Sequence, residues 1–387
     1  MKKTGKMGRG DAHMARRHGF LRRLCGSRIK KRWKALAMAA LFSFSSVLAG
    51  CGGAGASGDA SANSKDVLYI FNWAEYIPPE VYELFEKETG IHVVESTYSS
   101  NEEMLAKLIA GKGGQYDLAV ASNYVINAMK QQDLIQPIGI DQVTNLSNLD
   151  ERVLDQDYDP GNIYTVPYMS TVTVIAENTD MAGRLGVSID SFNDLTNPKL
   201  KNNIVAVDDS REIVGIAMKA MGLNPDSTDA DTIRSSSTWL KELRPNIKLY
   251  DSDTAYAAMV TEEAAVGIIY NLDLHEAMAE NDKIQVVQTK EPAAMSIDSF
   301  VLCKGSRHQK EAQEFINFIL RPDIYKMCLE EFPALCLNKE TLPLLSEEER
   351  SQPVFTLDDP IVQNSKLIED VGDAAEYYDE VFSEMKM

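Results

Sequence analysis

VLYIFN (67–72), IHVVES (91–96) and YDLAVAS (116–122) are three apolar runs of strand length that lie within one short stretch of the chain. Amphipathic helical patterns fill the two gaps between them, and the second pattern starts with Ser100 and Glu103, which fit a capping box. Nearly continuous apolar strands that alternate with helices are typical of a parallel sheet covered on both faces. The stretch therefore predicts a βαβαβ unit and the α/β class.

The same alternation recurs in the second half of the chain. Strand and helix units are predicted at residues 204–208 with 211–221 and at 264–270 with 273–280, a strand at 284–289, and helices at 309–320, 323–331 and 373–385. Two more runs, MSTVTVIA (169–176) and SFVLC (299–303), are extended and suit a crossover between two lobes. Two such lobes leave a cleft at the carboxyl ends of their strands, where open α/β sheets usually bind ligands.

An apolar run precedes the folded region and ends at Cys51. It starts after the basic stretch 28–34, and its 16 residues fall short of the ~20 that a membrane-spanning helix needs. We therefore predict that residues 1–50 are a basic extension and a signal peptide. The last four residues of the run, LAGC, resemble the lipobox of bacterial lipoproteins, which predicts a lipid on Cys51. The alternative is an ordinary signal peptide with a chance cysteine.

The chain that remains after this leader is strongly acidic. Residues 51–65 comprise the predicted lipidated cysteine and the stretch GGAGASGDASANSK, which has no large apolar side chain and predicts a flexible tether. From Cys51 onward there are 26 basic and 57 acidic residues, a formal net charge of −31. A field of this sign repels nucleic acid and concentrates cations near the surface. We therefore expect no nucleic-acid partner.

The cysteines and histidines of this region are few and scattered. They are Cys303, Cys328, Cys336, His92, His275 and His308. None has the spacing of a zinc or iron site, so we expect no metal and no cofactor. A chain of this size does not need disulfides for stability, and buried free thiols are favoured over a bond between Cys328 and Cys336.

Aromatic and acidic residues collect at the predicted strand ends. The candidate ligand-binding residues are Trp73, Glu75, Tyr76, Ser122, Tyr124, Asp209, Glu212, Tyr270 and Asp298. Aromatic faces attract alkylammonium groups, and carboxylates accept charge-assisted hydrogen bonds from them. A small cation with apolar spacers suits such a set. Structural alternatives stay open: Trp73 and Tyr76 as core residues, Asp209 as a helix cap, and Glu212 as a partner of the helix dipole.

Longer segments resemble the spermidine/putrescine-binding proteins, the extracytoplasmic receptors of polyamine ABC importers. The resemblance covers about residues 67–378 and rests on LYIFNWAEYIPPE, FEKETGIHVVESTYSSNEEMLAKL, YDLAVASNYVINAMKQQDLIQPI, VDDSREI, INFILRPDIYKM and EDVGDAAEYYDE. It implies a two-lobed type II periplasmic-binding-protein fold with two crossover strands and an interlobe cleft. Lobe 1 is expected at residues 66–175 and 297–340, and lobe 2 at 176–296 and 341–387.

The resemblance also implies a role for each candidate residue. Trp73 and Tyr76 match an aromatic wall, and Ser122 and Tyr124 face it. Asp209, Glu212 and Asp298 match the acidic anchors for the amines; Glu75 assists at the amine end, and Tyr270 stands where the family often has tryptophan. The implied partners are a polyamine and the importer permease. We expect a monomer that is lipid-anchored to the outer face of the cytoplasmic membrane.

Four positions depart from the family pattern. Ser296 and Ser170 stand where the family commonly has aromatic residues, Ala334 where it often has tyrosine, and Ala74 where it has a hydroxyl. The loss of these planar faces favours a wider or weaker channel for the ligand. The acidic residues thus predict a cationic ligand, while its length stays open.

Other functions are consistent with the same fold. One is capture of a different small cation or a zwitterion, such as an amino-acid derivative, and another is a sensor that presents its ligand to a signalling protein. A secreted enzyme is disfavoured because the chain has no Gly-x-Ser-x-Gly elbow, no suitable Cys/His pair and no clustered metal ligands.

Overall fold

The predicted βαβαβ unit is present in the computed structural model, which describes residues 67–111, 114–252 and 254–387. Strand β1 (Val67–Trp73) pairs in parallel with both β2 (His92–Tyr98) and β3 (Leu118–Ser122). All five residues of β3 are buried, as expected for a strand that has neighbours on both sides in a covered sheet. The predicted signal peptide, Cys51 and the tether lie outside the described residues.

The two helices of this unit begin and end at the predicted signals. Helix α1 (Pro79–Thr89) has proline in its first turn and ends at Gly90, whose φ of 80° lies in the left-handed region. Helix α2 (Asn101–Gly111) has half of the predicted capping box. The Ser100 hydroxyl accepts a hydrogen bond from the Glu103 N–H at 3.1 Å, but the Glu103 carboxylate accepts from Ser99 N–H instead.

The remaining elements confirm the second set of predicted units and add others. The strands are β4 (Ile135–Gln136), β5 (Thr165–Asn178), β6 (Ile204–Ala206), β7 (Ile247–Tyr250), β8 (Val266–Tyr270), β9 (Ile284–Val287), β10 (Ala294–Cys303) and β11 (Lys366–Leu367). The helices are α3 (Ile126–Gln131), α4 (Thr179–Leu185), α5 (Ser210–Ala220), α6 (Ala230–Ser235), α7 (Ser237–Leu243), α8 (Tyr256–Val260), α9 (Asn271–Glu280), α10 (Gln309–Ile319), α11 (Pro322–Glu331), α12 (Glu347–Arg350), α13 (Pro360–Asn364) and α14 (Ala375–Lys386).

Two long strands occupy the centre of one mixed sheet. Its order is β2-β1-β3-β10-β5-β8-β6-β7, and β4, β9 and β11 pair at the ends of β5 and β10. Strands β5 and β10 are antiparallel to each other; β10 continues to β3 on one side, and β5 continues to β8 on the other. The two runs predicted as crossovers are therefore parts of β5 and β10, which connect two groups of parallel strands.

The C-terminal helix completes the packing around α5. Helix α14 packs on α5 and α6, and its buried residues Tyr378 and Val381 share a core cluster with Ile213 and Val214 of α5. A second cluster covers the other strand group and includes Phe85. Helix α5 is thus fixed against the sheet on one side and against the chain terminus on the other.

The three described thiols are free and buried, as predicted. Cys303, Cys328 and Cys336 form no disulfide. Burial raises the pKa of each thiol, to about 12 for Cys328 and Cys336. Within the described ranges, no helix has the length and apolar character needed to cross a membrane.

Candidate ligand-binding site

Asp298 lies where the two central strands meet the first strand group. On β10 it stands opposite Ser122 of β3 and opposite Met169 of β5, and the register with β5 shifts between Asp298 and Ser299. Only 4% of Asp298 is exposed. The extra residue at a register shift lets a strand turn a side chain away from the regular alternation. The carboxylate is therefore held inside the sheet junction.

Both oxygens of Asp298 accept short hydrogen bonds. The Tyr76 hydroxyl donates to Oδ2 at 2.6 Å, and the Ser122 hydroxyl donates to Oδ1 at 2.6 Å. Burial raises the pKa of Asp298, while these two hydrogen bonds to the charged form oppose the rise. Three of the predicted residues, from three separate segments, are thus in direct contact.

Asn101 extends this network and was not among the predicted residues. Its Nδ2 donates to the Ser122 hydroxyl at 3.1 Å and to the Tyr124 hydroxyl at 2.6 Å. Asn101 is the first residue of α2 and is buried. Its place between the two capping-box residues gave no sign of this role, because polar side chains are common at the start of a helix and Glu102 and Glu103 follow it directly.

Asp209 and Glu212 form a second acidic centre at the start of α5. The Asp209 side chain caps this helix by accepting a hydrogen bond from Glu212 N–H at 3.1 Å. Glu212 is buried, and its Oε2 has no hydrogen-bond partner. Burial raises the pKa of both carboxyls, and the charge of Asp209 raises that of Glu212 further. The helix-cap alternative for Asp209 is therefore correct, and it leaves the second carboxyl available to a ligand.

Two tyrosines lie close to the second acidic centre, and one of them also lies close to Asp298. Burial is the main cause that raises the pKa of Tyr124 and of Tyr270, and the charges of Asp209 and Glu212 raise both further. Asp298 adds to the effect on Tyr270. Tyr270 ends strand β8 and stands opposite Thr173 of β5. These phenols therefore lie near the carboxylates that a cation would contact.

Trp73 and Glu75 are placed differently from the rest. The Trp73 ring lies against Tyr98, with 4.5 Å between ring centroids, and its indole N–H is buried without a hydrogen-bond partner. Glu75 is exposed, and its φ of 54° lies in the left-handed region. Trp73 has the position of an aromatic wall at the end of β1, whereas Glu75 stays outside the buried group.

Small and hydroxyl side chains occupy the positions that depart from the family pattern. The Ser170 hydroxyl donates to the Ser296 carbonyl at 2.6 Å, and the hydroxyls of Thr171 and Ser296 lie 2.7 Å apart. Ala334 is fully buried, and Ala74 is exposed. The hydroxyls satisfy one another or the backbone, and Ser170 and Ser296 are buried, so small side chains stand where aromatic faces are expected.

The arrangement suits a cation rather than a reaction. The buried carboxylates of Glu212 and Asp298 and the half-buried one of Asp209 are unfavourable without a counter-charge, and an ammonium group that binds there offsets their desolvation. Within the residues that the structure describes, no three His, Cys, Asp or Glu side chains are grouped to hold a metal ion. Each ammonium hydrogen bond to a carboxylate contributes about 1.5–3 kcal/mol. The site can therefore bind an amine through two acidic centres and an aromatic wall.

Comparison with known proteins places this chain in a family. The sequence model of the bacterial extracellular solute-binding protein family matches residues 80–341. The spermidine/putrescine-binding periplasmic protein of Escherichia coli K12 is 35% identical over 327 residues, which cover 84% of this chain and 93% of that protein. The putrescine-binding periplasmic protein PotF of the same organism is 31% identical over 309 residues, with 76% and 83% covered.

Solved structures agree with the fold. PotD from Streptococcus pneumoniae has a TM-score of 0.71 at 29% identity, and the match covers 83% of this chain and 99% of that one. The TpPotD lipoprotein of Treponema pallidum has a TM-score of 0.75 at 27% identity, with the same coverage. The family consists of solute-binding proteins, which confirms a binding module rather than a secreted enzyme. With its two-lobed α/β architecture, the chain belongs to the bacterial extracellular solute-binding proteins.

Proposed function

We propose that this protein captures a polyamine of the spermidine/putrescine class outside the cytoplasm and delivers it to the permease of an ABC importer. The observation that carries the proposal is the pair of acidic centres, Asp298 on one side and Asp209 with Glu212 on the other, with tyrosines near both. The relatives named for spermidine and putrescine support the choice of ligand. A ligand with two separated ammonium groups matches two separated acidic centres.

The predicted residues take distinct roles in this proposal. Asp298 binds one ammonium group, Glu212 binds the other through its unpartnered oxygen, and Asp209 adds charge beside it. Trp73, Tyr76, Tyr124 and Tyr270 line the methylene chain, Ser122 orients Asp298, and Glu75 approaches from the cleft entrance. Lobe 1 comprises residues 66–175 and 297–340, and lobe 2 comprises 176–296 and 341–387. Ligand closes the lobes over the site, as in other hinged binding proteins.

The location of the protein follows from the same proposal. A lipid on Cys51 anchors the monomer to the outer face of the cytoplasmic membrane, and residues 52–65 give it room to reach the permease. Tethering raises the local concentration of a receptor beside its transporter. Labelled palmitate should enter the wild-type protein and not Cys51→Ser; equal labelling of both would contradict the anchor.

Calorimetric titration with purified protein tests the ligand. We expect putrescine or spermidine to bind, and the double substitution Asp209→Asn with Asp298→Asn to abolish binding of a diamine. Asp190→Asn is the control, because Asp190 is an exposed acid paired with Lys290. The panel includes zwitterionic amino-acid derivatives, since Ser170 and Ser296 replace aromatic faces of the family pattern and leave the identity of the ligand open. Heat of binding from a zwitterion but from no amine would overturn the proposal.

A further inference from the structure

Arg211 is a buried cation in the middle of the second acidic centre. It stands between Asp209 and Glu212 in sequence, and only 7% of it is exposed. Its Nη2 donates to Asp226 Oδ1 at 2.8 Å and to the Glu369 carbonyl at 3.0 Å. The guanidinium is therefore fixed from two segments outside its own helix.

Two tyrosine rings also lie against this guanidinium. Its central carbon is 4.7 Å from the ring centroid of Tyr378 and 5.7 Å from that of Tyr124. Tyr378 is on the C-terminal helix, where its hydroxyl donates to the carbonyls of Pro225 and Ser227. Tyr124 follows β3 and accepts the hydrogen bond from Asn101. Arg211 thus connects a ring of the candidate site to the helix at the end of the chain.

We propose that Arg211 is a positioning residue of the ligand site, which holds the Tyr124 ring in the wall and supplies a fixed positive charge beside Asp209 and Glu212. The inference rests on the proposed function for its ligand, and its geometry is independent of which amine binds. The Nη2 of Arg211 donates to Asp226 and Glu369, whereas its Nε is buried without a hydrogen-bond partner. In this proposal Arg211 acts through the neighbouring residues that contact the ligand.

The charge of Arg211 has a defined consequence. It lowers the pKa of both Asp209 and Glu212, and so works against the rise that burial causes. The other charged or titratable groups that act on this pair come from several elements: Glu102 of α2, Tyr124 after β3, Lys219 of α5 and Tyr270 of β8. Lys219, like Arg211, lowers the pKa of Glu212, whereas the charge of Glu102 raises the pKa of Asp209. Removal of Arg211 should therefore leave the carboxyls protonated to a higher pH.

Variants of Arg211 separate its charge from its planar shape. In Arg211→Gln we expect the dissociation constant for putrescine at pH 7.5 to rise about tenfold and the acidic limb of its pH profile to move up by about one pH unit. Arg211→Lys keeps the charge, but an ammonium group cannot stack on the tyrosine rings as a planar guanidinium does. The dissociation constant for putrescine should then rise about fivefold, and the acidic limb of its pH profile should not move. Calorimetry between pH 5 and 9 measures both.

Arg234 of α6 provides a matched control, because its guanidinium also lies against a tyrosine of the C-terminal helix. Its guanidinium lies 4.8 Å from the Tyr377 ring and pairs with Glu380 at 2.9 Å, but it is half-exposed and away from the acidic centre. Arg234→Gln should leave both the dissociation constant and the acidic limb unchanged. The inference would be overturned if Arg211→Gln had the same dissociation constant and the same acidic limb as Arg234→Gln.

Two further measurements keep the test decisive. Carbon-13 NMR titration of the ligand-free protein follows the carboxyls of Asp209 and Glu212 directly; their midpoints should rise in Arg211→Gln, and unchanged midpoints would contradict the proposal even if no amine binds. If Arg211→Gln does not fold, Asp226→Asn loosens the guanidinium and keeps its charge. It should weaken binding about threefold and, because a negative charge beside Arg211 and Lys219 is lost, should not move the acidic limb upward; wild-type affinity in Asp226→Asn would refute positioning by Arg211.

Discussion

At the scale of single residues, the site consists of acids whose surroundings differ. Asp298 has two hydrogen-bond donors, whereas Glu212 keeps a buried oxygen without a partner. The types of the predicted residues could be chosen from sequence because the chemistry of a cation site restricts them to acids and aromatics. Asn101 could not, since its importance depends on Ser122 and Tyr124, which are more than twenty positions away.

The hydroxyl of Tyr76 gives a test of how Asp298 is held. Tyr76→Phe removes one donor from a buried carboxylate, so we expect a loss of about 1–3 kcal/mol in the free energy of unfolding. The pKa of Asp298 should rise further, and amine affinity should fall more at pH 5 than at pH 8. Urea unfolding and calorimetry measure these effects. Tyr82→Phe is the control, because its hydroxyl donates to Glu95 away from the site; equal effects on affinity would contradict the role of Tyr76.

At the scale of helices and strands, sequence patterns predicted the elements with strong periodicity and clear ends. Helix α1 starts at proline and stops at Gly90, and β3 is a fully buried apolar run. The strand β7 was missed because its four residues are each only partly buried, and so carry no clear alternation. Pairing of the short β11 with β10 depends on contacts across the whole chain, which local patterns do not contain.

The end of α1 provides a prediction for an element. Gly90 has a φ of 80°, and a Cβ added there would meet no atom within 4 Å, so strain in the backbone is the only cost. Gly90→Ala should lower the free energy of unfolding by about 1 kcal/mol. Gly183→Ala is the control: it lies inside α4, also in open space, and should stabilise slightly through helix propensity. Thermal unfolding compares the two variants. A Gly90→Ala protein that unfolds at the temperature of the wild-type protein would show that this turn is not strained.

At the scale of the whole molecule, the acidic centres couple stability to pH. Burial raises the pKa of Asp209, Glu212 and Asp298 in the ligand-free fold. From about pH 4 upward, where unfolded carboxyls lose their protons, the folded protein holds more protons than the unfolded chain does. The free energy of unfolding therefore falls as the pH rises from about 4 to the raised pKa values of the three folded carboxyls.

Melting temperature against pH checks this coupling. The ligand-free protein should melt at a lower temperature at pH 8 than at pH 5, while saturating amine should flatten or reverse this slope because it pairs with the charged carboxyls. A ligand at a hundred times its dissociation constant adds about 2.7 kcal/mol. The variant with Asp209→Asn and Asp298→Asn should lose part of the slope, and Glu212, whose pKa is raised mainly by burial, should keep the rest. Because burial lowers the pKa of His275 and so adds an opposite slope in the same range, the comparison with this variant decides the test. A variant with the slope of the wild-type protein would contradict the pKa directions of Asp209 and Asp298.

The three buried thiols have a practical consequence for observing motion. Because Cys303, Cys328 and Cys336 are free, buried and of raised pKa, the described fold needs no oxidising compartment to form and offers no reactive sulfur to a labelling reagent. Fluorophores placed on new surface cysteines, one in each strand group, would then attach at the chosen positions alone in a chain that starts at residue 66. Energy transfer between them could report the arrival of each solute molecule in real time.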